Sequence, residues 1–531
     1  MPKRKRGKKQ DVTLAVFDIE TDPFKHGRTP APFCCEFYIE GYKKQFWGKD
    51  CILDFYNFIR YEETQYVIYA HNGGKFDFMY LFWLGVIDKI KIVNGRILKA
   101  NIGIHELRDS YSIIPVPLAA YQKTEIDYNK FEEENREENK TEILEYLDDD
   151  CIYLYDLVKS FRERFGDNLT IGGTALKQLR ERHPFENQDE KHDSLFRPYY
   201  FGGRVEFFDS GVIEGDYTIY DVNSMYPTVM RNEQHPTGRN YIEYGDDLEM
   251  ALDETEFFFI EFTGNSKGAF PIRTKAGLSF PHGIDTFYTT SHELKVAQKY
   301  NLIDIHEIHS IKAPASTISF GMFVDHYIKD KIKAKEECDK LTELFSKLLL
   351  NSGYGKFGQN PENFHDYIIR YPDEGLPDLD VWDLYIDTGY LEIWQRPAPK
   401  PVYYDVATAA SITSAARALL LEALHTADNA IYCDTDSIIC KSLKDVKIHP
   451  TELGAWDIEA ECDEIAIAGK KLYAAFKNGV CVKKANKGVK LTGEEIKQIA
   501  LGAVIAWENP APSFSINNKV KFIKRRVAKR I

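Results

Sequence analysis

The chain has no CxxC pair and no cysteine–histidine grouping at zinc-ligand spacing among its nine cysteines. Neither a disulfide framework nor a zinc module organises it, and the thiols read as free in a reducing compartment. No apolar run approaches the length of a membrane span, and the first residues lack the apolar stretch of a signal peptide. Internal repeats and low-complexity tracts are missing as well, which excludes solenoid and collagen-like chains. What remains is 531 residues with 44% hydrophobic content, too long for one core, so two to four domains are expected.

Positive charge is scarce overall, at a net −14, but it is unevenly placed. Residues 470–531 carry 15 Lys/Arg against Glu494, Glu495 and Glu508, and residues 1–10 carry six basic groups and no acid. The stretch 11–469 is therefore left at −32. A basic C-terminal segment on an acidic body suits a protein that grips phosphates while housing metal-binding carboxylates. The PKRKRGKK run at 2–9 reads first as a solvated tail. In 470–531 the apolar Leu472, Tyr473, Phe476, Val480 and Val482 interleave with the lysines.

TLAVFDIET (13–21) and YVIYAHNGG (66–74) read as buried strands, and 141–161 has apolar positions at helical spacing. An α/β domain is expected over 11–185, and a polar, turn-rich linker from 186 to 210. TIYDV (218–222) and AIYCDTDSII (430–439) read as strands of a second sheet. One long helix is expected over roughly 322–350, between irregular segments at about 237–320 and 360–402. The second of these is punctuated by Pro361, Pro372, Pro377, Pro397, Pro399 and Pro401.

YCDTDS (432–437) carries the most chemistry. Two short β-type runs around an acidic tip predict a hairpin presenting Asp434 and Asp436. Neighbouring carboxylates repel, so such a tip calls for a cation, and hard oxygen ligands suit Mg²⁺. In YDVNSMYP (220–227), Asp221 ends a strand and Pro227 suits the first turn of a helix, so the intervening amides could cradle phosphate. Together these acids supply the parts of a two-metal phosphoryl-transfer site. In KLLLNSGYGKFG (347–358), Lys347, Asn351 and Tyr354 share one helical face, where a lysine can neutralise a triphosphate.

A second acidic set lies upstream. Asp18 and Glu20 alternate onto one face of a strand, Asp77 follows Asn72 in HNGGKFD, and Tyr146 and Asp150 lie one helical turn apart. Four carboxylates and a tyrosine suit a site where activated water attacks a phosphodiester. Within the DDD run at 148–150, the Tyr-xxx-Asp spacing singles out Asp150.

DVNSMYP, KLLLNSGYG and YCDTDS, in that order, resemble motifs A, B and C of family B DNA polymerases. YFGG (200–203) resembles the YxGG element of that family, and KLY (471–473) its KxY element. DIE (18–20), NGGKFD (72–77) and YLDDD (146–150) resemble the Exo I, II and III motifs of DEDDy 3′–5′ exonucleases. The resemblance implies an RNase H-like exonuclease domain followed by a right-hand polymerase domain. It implies a palm at about 211–240 and 402–465, fingers at about 322–358 and a thumb at about 470–531. Asp221, Val222 and Asp436 would hold metal, with Asp434 supporting them. Ser224, Met225, Tyr226, Lys347, Asn351 and Tyr354 would meet the nucleotide, and Tyr226 would exclude a 2′-hydroxyl. Upstream of motif B the family has further basic residues, but Glu343 stands four before Lys347, so Lys335 and Lys340 are the nearest candidates. Tyr200, Gly202, Gly203, Lys471 and Tyr473 would contact template and primer.

For the nuclease, the resemblance implies metal at Asp18, Glu20, Asp77 and Asp150, with Tyr146 orienting water and Lys123 steadying the scissile phosphate. Thr21, Asn72, Phe76 and Ser110 would meet the frayed primer, although Tyr111 stands where the family has a leucine after the serine. The short chain and the extra residues at about 241–320 and 360–401 match the TPR1 and TPR2 insertions of the protein-primed branch. DIETDPFKH, VIYAHNGGKFDF, KIVNGRIL, LTIGGTAL and YDVNSMYP resemble the tectiviral polymerases most.

That branch implies two Mg²⁺ per site (with Mn²⁺ as a substitute), DNA and dNTPs, and a terminal protein as primer. It also implies a single-stranded DNA-binding protein as a further partner and a monomer in the cytoplasm of a bacterial host, encoded by a virus or mobile element. A DNA-primed repair polymerase without a terminal protein is the alternative.

Overall fold

The computed structural model describes residues 12–184, 186, 189–371, 373–398, 405–509, 511–516 and 520–529. The basic tail at 1–10, Pro372, Pro399 and Pro401 lie outside the described residues.

The N-terminal half is built on a seven-stranded sheet in the order Tyr42–Trp47, Pro32–Ile39, Thr13–Thr21, Tyr66–Ala70, His105–Asp109, Arg96–Ile102, Lys89–Val93. The Thr13–Thr21 strand runs antiparallel to its Pro32 neighbour and parallel to its Tyr66 neighbour. Sheet strands covered on both faces need near-continuous apolar sequence, which TLAVF and YVIYA supply. The helix Lys140–Phe165 buries Ile143, Leu147, Cys151, Leu154, Val158 and Phe161 at intervals of three and four residues. It lies across the Thr13–Thr21 strand, so the acids of strand and helix meet.

The C-terminal half centres on a seven-stranded antiparallel sheet. Its order is Val480–Asn486, Leu472–Lys477, Trp456–Gly469, Gly211–Val222, Ser437–Cys440, Tyr432–Asp434, Val205–Phe207. Leu472 and Tyr473 of KLY therefore sit on a strand of the same sheet as motifs A and C, with Lys471 in the turn before it, and the strand Trp456–Gly469 runs unbroken through residue 465. Behind this sheet runs the helix Val406–Thr426. It is apolar enough to cross a membrane by composition, correcting the expectation that no run approaches that length, but 89% of its most apolar window is buried in the protein. It is a core helix.

Four further expectations change. The helix expected at 322–350 is two helices, Gly321–Glu336 and Lys340–Phe357. Cys338 turns into the left-handed region (φ 58°), and Asp339 caps the second helix by accepting from the Thr342 amide at 3.0 Å. The segment 237–320 is ordered, with a four-stranded sheet (Tyr241–Gly245, Ile303–Pro314, Phe259–Lys267, His282–Thr290) and the helix Ser291–Lys299. Within 360–402, the strands His365–Arg370, Glu392–Pro397 and Asp383–Asp387 form a sheet, and Leu391 and Ile393 join the core of the N-terminal half. The linker likewise contains a helix, Glu190–Phe196, capped by Asp189.

Candidate active sites

In the N-terminal half, Asp18, Glu20 and Asp150 bring their carboxylate oxygens within 4.8 Å of one another, the sole such group of three among the described residues. Burial, followed by the charge of Asp150, pushes the Asp18 carboxyl up to about 7. Burial and the same neighbours hold Glu20 well above the usual range, and burial raises Asp77 and Asp150 too. Asp77, at the start of the helix Asp77–Trp83, and Asp150 each keep one buried carboxylate oxygen without a hydrogen-bond partner. Crowded acids with orphaned oxygens are the donor set a hard divalent cation takes, so Asp18, Glu20 and Asp150 fit a metal, while Asp77, raised by burial and then by Asp18, stands beside that group and outside it.

Around them, the Lys123 ammonium donates to the Tyr128 hydroxyl at 3.3 Å, and that hydroxyl lies 3.4 Å from the Tyr146 hydroxyl. Burial alone would lower the Lys123 ammonium, but Tyr128, Asp150 and Glu20 hold it above its ordinary value. Asn72, at φ 61°, accepts from Arg96 at 2.9 Å. Phe76 and Thr21 line a cleft of about 890 Å³ beside Glu20. Ser110 is fully buried and donates to the Ala70 carbonyl at 3.1 Å, so here it braces the His71 loop and faces no solvent. The DDD run is not a solvated face: Asp148 pairs with Lys43 at 2.6 Å, and Asp149 accepts from Thr124 at 2.6 Å.

The second site stands on the C-terminal sheet. Tyr432–Asp434 and Ser437–Cys440 form the expected hairpin, turning through Thr435 at φ 60°. Ser437 pairs with Asp221 in the neighbouring strand, and the Val222 amide donates to the Asp436 carbonyl at 2.8 Å. These bonds set Asp221 beside Asp436. Burial, followed by Asp436 and Glu459, pushes Asp221 up to about 7, and burial raises Asp436 as well. Asp434 instead forms an ion pair with Lys471. Asp457 lies directly across from Asp221, while Glu459 is paired with Lys483 at 2.7 Å. The half-buried Asp221–Asp436 couple is the donor set that would accept a cation here, with Val222 able to add only its backbone carbonyl.

Ser224 adopts φ 56° and opens the helix Met225–Asn232, with Pro227 in its first turn. Tyr226 stacks on Tyr354 at 3.9 Å and 15°, which joins motif A to the Lys340–Phe357 helix. Lys347 and Asn351 are exposed on that helix. Of the upstream cations, Lys335 and Lys340 are exposed, but a residue missed in the sequence is half-buried. Lys331 has its ammonium lowered by burial and then by Lys347, which places it near that lysine. Only the packing of the helices Gly321–Glu336 and Lys340–Phe357 reveals it.

YFGG closes against both catalytic elements. A Cβ at Gly203 would lie 2.7 Å from the Thr435 methyl, and one at Gly358 would strike the Tyr200 ring. Gly202 has open space around it. The Thr435 amide donates to the Arg204 carbonyl at 2.7 Å. Arg417, also missed in the sequence, donates to the Phe201 and Gly202 carbonyls at 2.9 and 3.0 Å. It forms a fully buried pair with Glu293 at 2.8 Å. Tyr473 is buried 5.0 Å from the Tyr432 ring.

Residues 115–445 match the family described as DNA polymerase type B, organellar and viral. The chain is 45% identical to the DNA-directed DNA polymerase of Enterobacteria phage PRD1, covering 99% of this chain and 100% of that one. It is 24% identical to a DNA polymerase of Kluyveromyces lactis, covering 88% of this chain and 58% of the other. Among solved structures, Phi29 DNA polymerase bound to primer-template DNA superposes with a TM-score of 0.74 at 19% identity. That match covers 98% of this chain and 100% of that one, so the two share a fold.

Proposed function

The chain belongs to the type B DNA polymerases of organellar and viral origin, and it is a DNA-directed DNA polymerase; on that premise we propose that it replicates DNA from a protein primer and edits its own product. The observation that carries the reading is one chain holding two separate carboxylate sites, Asp18/Glu20/Asp150 and Asp221/Asp436, in the fold that superposes on Phi29 polymerase.

In synthesis, the attacking hydroxyl belongs first to a side chain of a terminal protein and then to the 3′ end of DNA. It bonds to the α-phosphorus of a dNTP, and pyrophosphate leaves. Mg²⁺, or Mn²⁺ in its place, held by Asp221, Asp436 and the Val222 carbonyl, supplies hydroxyl activation and charge neutralisation when bound. Lys347, with Lys331 close by, faces the triphosphate. Tyr226, fixed flat on Tyr354, closes the space a 2′-hydroxyl would need. Lys471 bridges from Asp434 to the primer end, and the basic segment beyond it holds duplex phosphates in a salt-dependent, sequence-tolerant way.

In editing, Asp18, Glu20, Asp77 and Asp150 hold the ions, Tyr146 orients water and Lys123 meets the scissile phosphate. The ordered insertions at 241–320 and 360–398 support the protein-primed branch. Work inside a host cell, as for the PRD1 relative, follows, with the cytoplasm as the site of action.

The test incubates the enzyme with labelled dNTP, divalent metal and a candidate terminal protein. A labelled protein band is expected. Extension of DNA primers alone would favour the repair-polymerase alternative. Tyr226→Val should admit ribonucleotides, and unchanged sugar discrimination in primer extension would remove that role.

A further inference from the structure

A C-terminal arm crosses from the polymerising half to the nuclease half. It leaves the strand Ile505–Glu508, and its Phe514 and Ile516 end in the same apolar core as Phe17, Phe55 and Phe78. Phe514 lies nearly parallel to Trp83 at 5.8 Å and edge-on to Phe76 at 5.1 Å and Tyr80 at 6.0 Å. On another side, Phe24 meets Phe76 edge-on at 5.9 Å. The 890 Å³ cleft beside the nuclease acids has two owners. Glu20, Phe24 and Phe76 line it from the nuclease half, and Asn509, Ala511 and Phe522 line it from the arm.

We infer that Phe514 is a positioning residue of the editing cleft, which pins Phe76 so that unstacked bases of a frayed primer meet a fixed aromatic wall. The inference rests on the editing reading given above. Stacking of bases on aromatic rings tolerates any sequence, which an editing site requires. Phe514 is only 6% exposed, so it acts through Phe76 and does not touch a base itself. The polymerising half thereby supplies one side of the nuclease's single-strand site.

The test uses the full chain and follows hydrolysis of single-stranded oligothymidylate beside extension of a matched primer. Phe514→Ala should raise the KM for the oligonucleotide about tenfold, the scale of a partly lost base–aromatic contact. Its hydrolytic kcat and its matched-primer extension should each stay within roughly threefold of wild type. Phe514→Leu, which refills the core, should bring KM back towards wild type. An unchanged KM in Phe514→Ala overturns the inference, and so does an equal loss of hydrolysis and extension, which would make the arm a general prop. Asp150→Ala separates the two readings: if it leaves hydrolysis intact, the editing reading itself fails, whatever Phe514 does.

Discussion

The two carboxylate sites are assembled in opposite ways. Asp18, Glu20 and Asp150 are crowded on one strand and one crossing helix, with Lys123 as the cation beside them, and their like charges repel. The polymerising acids are spread over adjacent strands, and the protein's own lysines already neutralise part of them, Lys471 on Asp434 and Lys483 on Glu459. The first site is a cage whose need for cations is built in. The second is partly satisfied without one, and its geometry is held from outside by YFGG and Arg417.

The sharpest way to break this comparison is to remove one acid from each side. Asp436→Ala should lower nucleotide incorporation by about 10³-fold or more while hydrolysis of single strands persists, and Asp18→Ala should do the reverse. If either variant loses both activities equally, the sites are not independent.

Next in size is the buried strut. Arg417→Met strands Glu293 without its partner, and breaking such a pair costs about 3–5 kcal/mol. A lowered Tm in thermal denaturation checks it, and the double variant Arg417→Met/Glu293→Leu should recover much of the loss.

Lys471→Ala tests whether the polymerising acids depend on an internal cation. Losing a charge-assisted bond of about 1.5–3 kcal/mol predicts about 10- to 100-fold slower primer extension, with hydrolysis of single strands unaffected.

The smallest expected effect is in pH. The folded Asp18 carboxyl lies at about 7, above its ordinary 3.8, so the folded metal-free protein binds that proton more tightly than the unfolded chain does. Its contribution to stability is therefore present at low pH and is lost as pH rises from about 4 through about 7. Protons and cations compete for the same oxygens, so divalent-ion affinity should fall by roughly tenfold per pH unit below about pH 7. Calorimetric titration of Mg²⁺ at pH 6 and pH 8 in an Asp221→Ala/Asp436→Ala background checks it. Equal affinity at both would mean that the cage is not protonated.

Legibility in the sequence followed how local each signal was. Asp18 and Glu20 are two residues apart, Tyr146 and Asp150 four apart, and the YCDTDS hairpin closes on itself, so strand and helix periods sufficed. The break at Cys338 was missed because nothing apolar interrupts the helical pattern there; the cap is made by one aspartate. The insertion at 237–320 looked irregular because its strands pair over long separations, Phe259 with Thr290 and with Lys312. Arg417 looked like one more helical arginine, and its partner Glu293 lies 124 residues away. Lys331 needed two helices packed together. Ser110 was expected to face a strand of DNA, but a serine's period within a loop says nothing about its burial.

The arm that ends at Phe514 and Ile516 also sets a clock. The nuclease half leaves the ribosome before the polymerising half, yet its core holds Leu391 and Ile393 and, later still in the chain, Phe514 and Ile516. At about 5–20 residues per second, the roughly 350 residues between the Lys140–Phe165 helix and Phe514 take on the order of 20–70 s to make. During that interval the rings of Phe76, Tyr80 and Trp83 lack their last partner. The nascent domain is thus left with an open apolar seam, a place where chaperones or misfolding can act before the chain closes on itself.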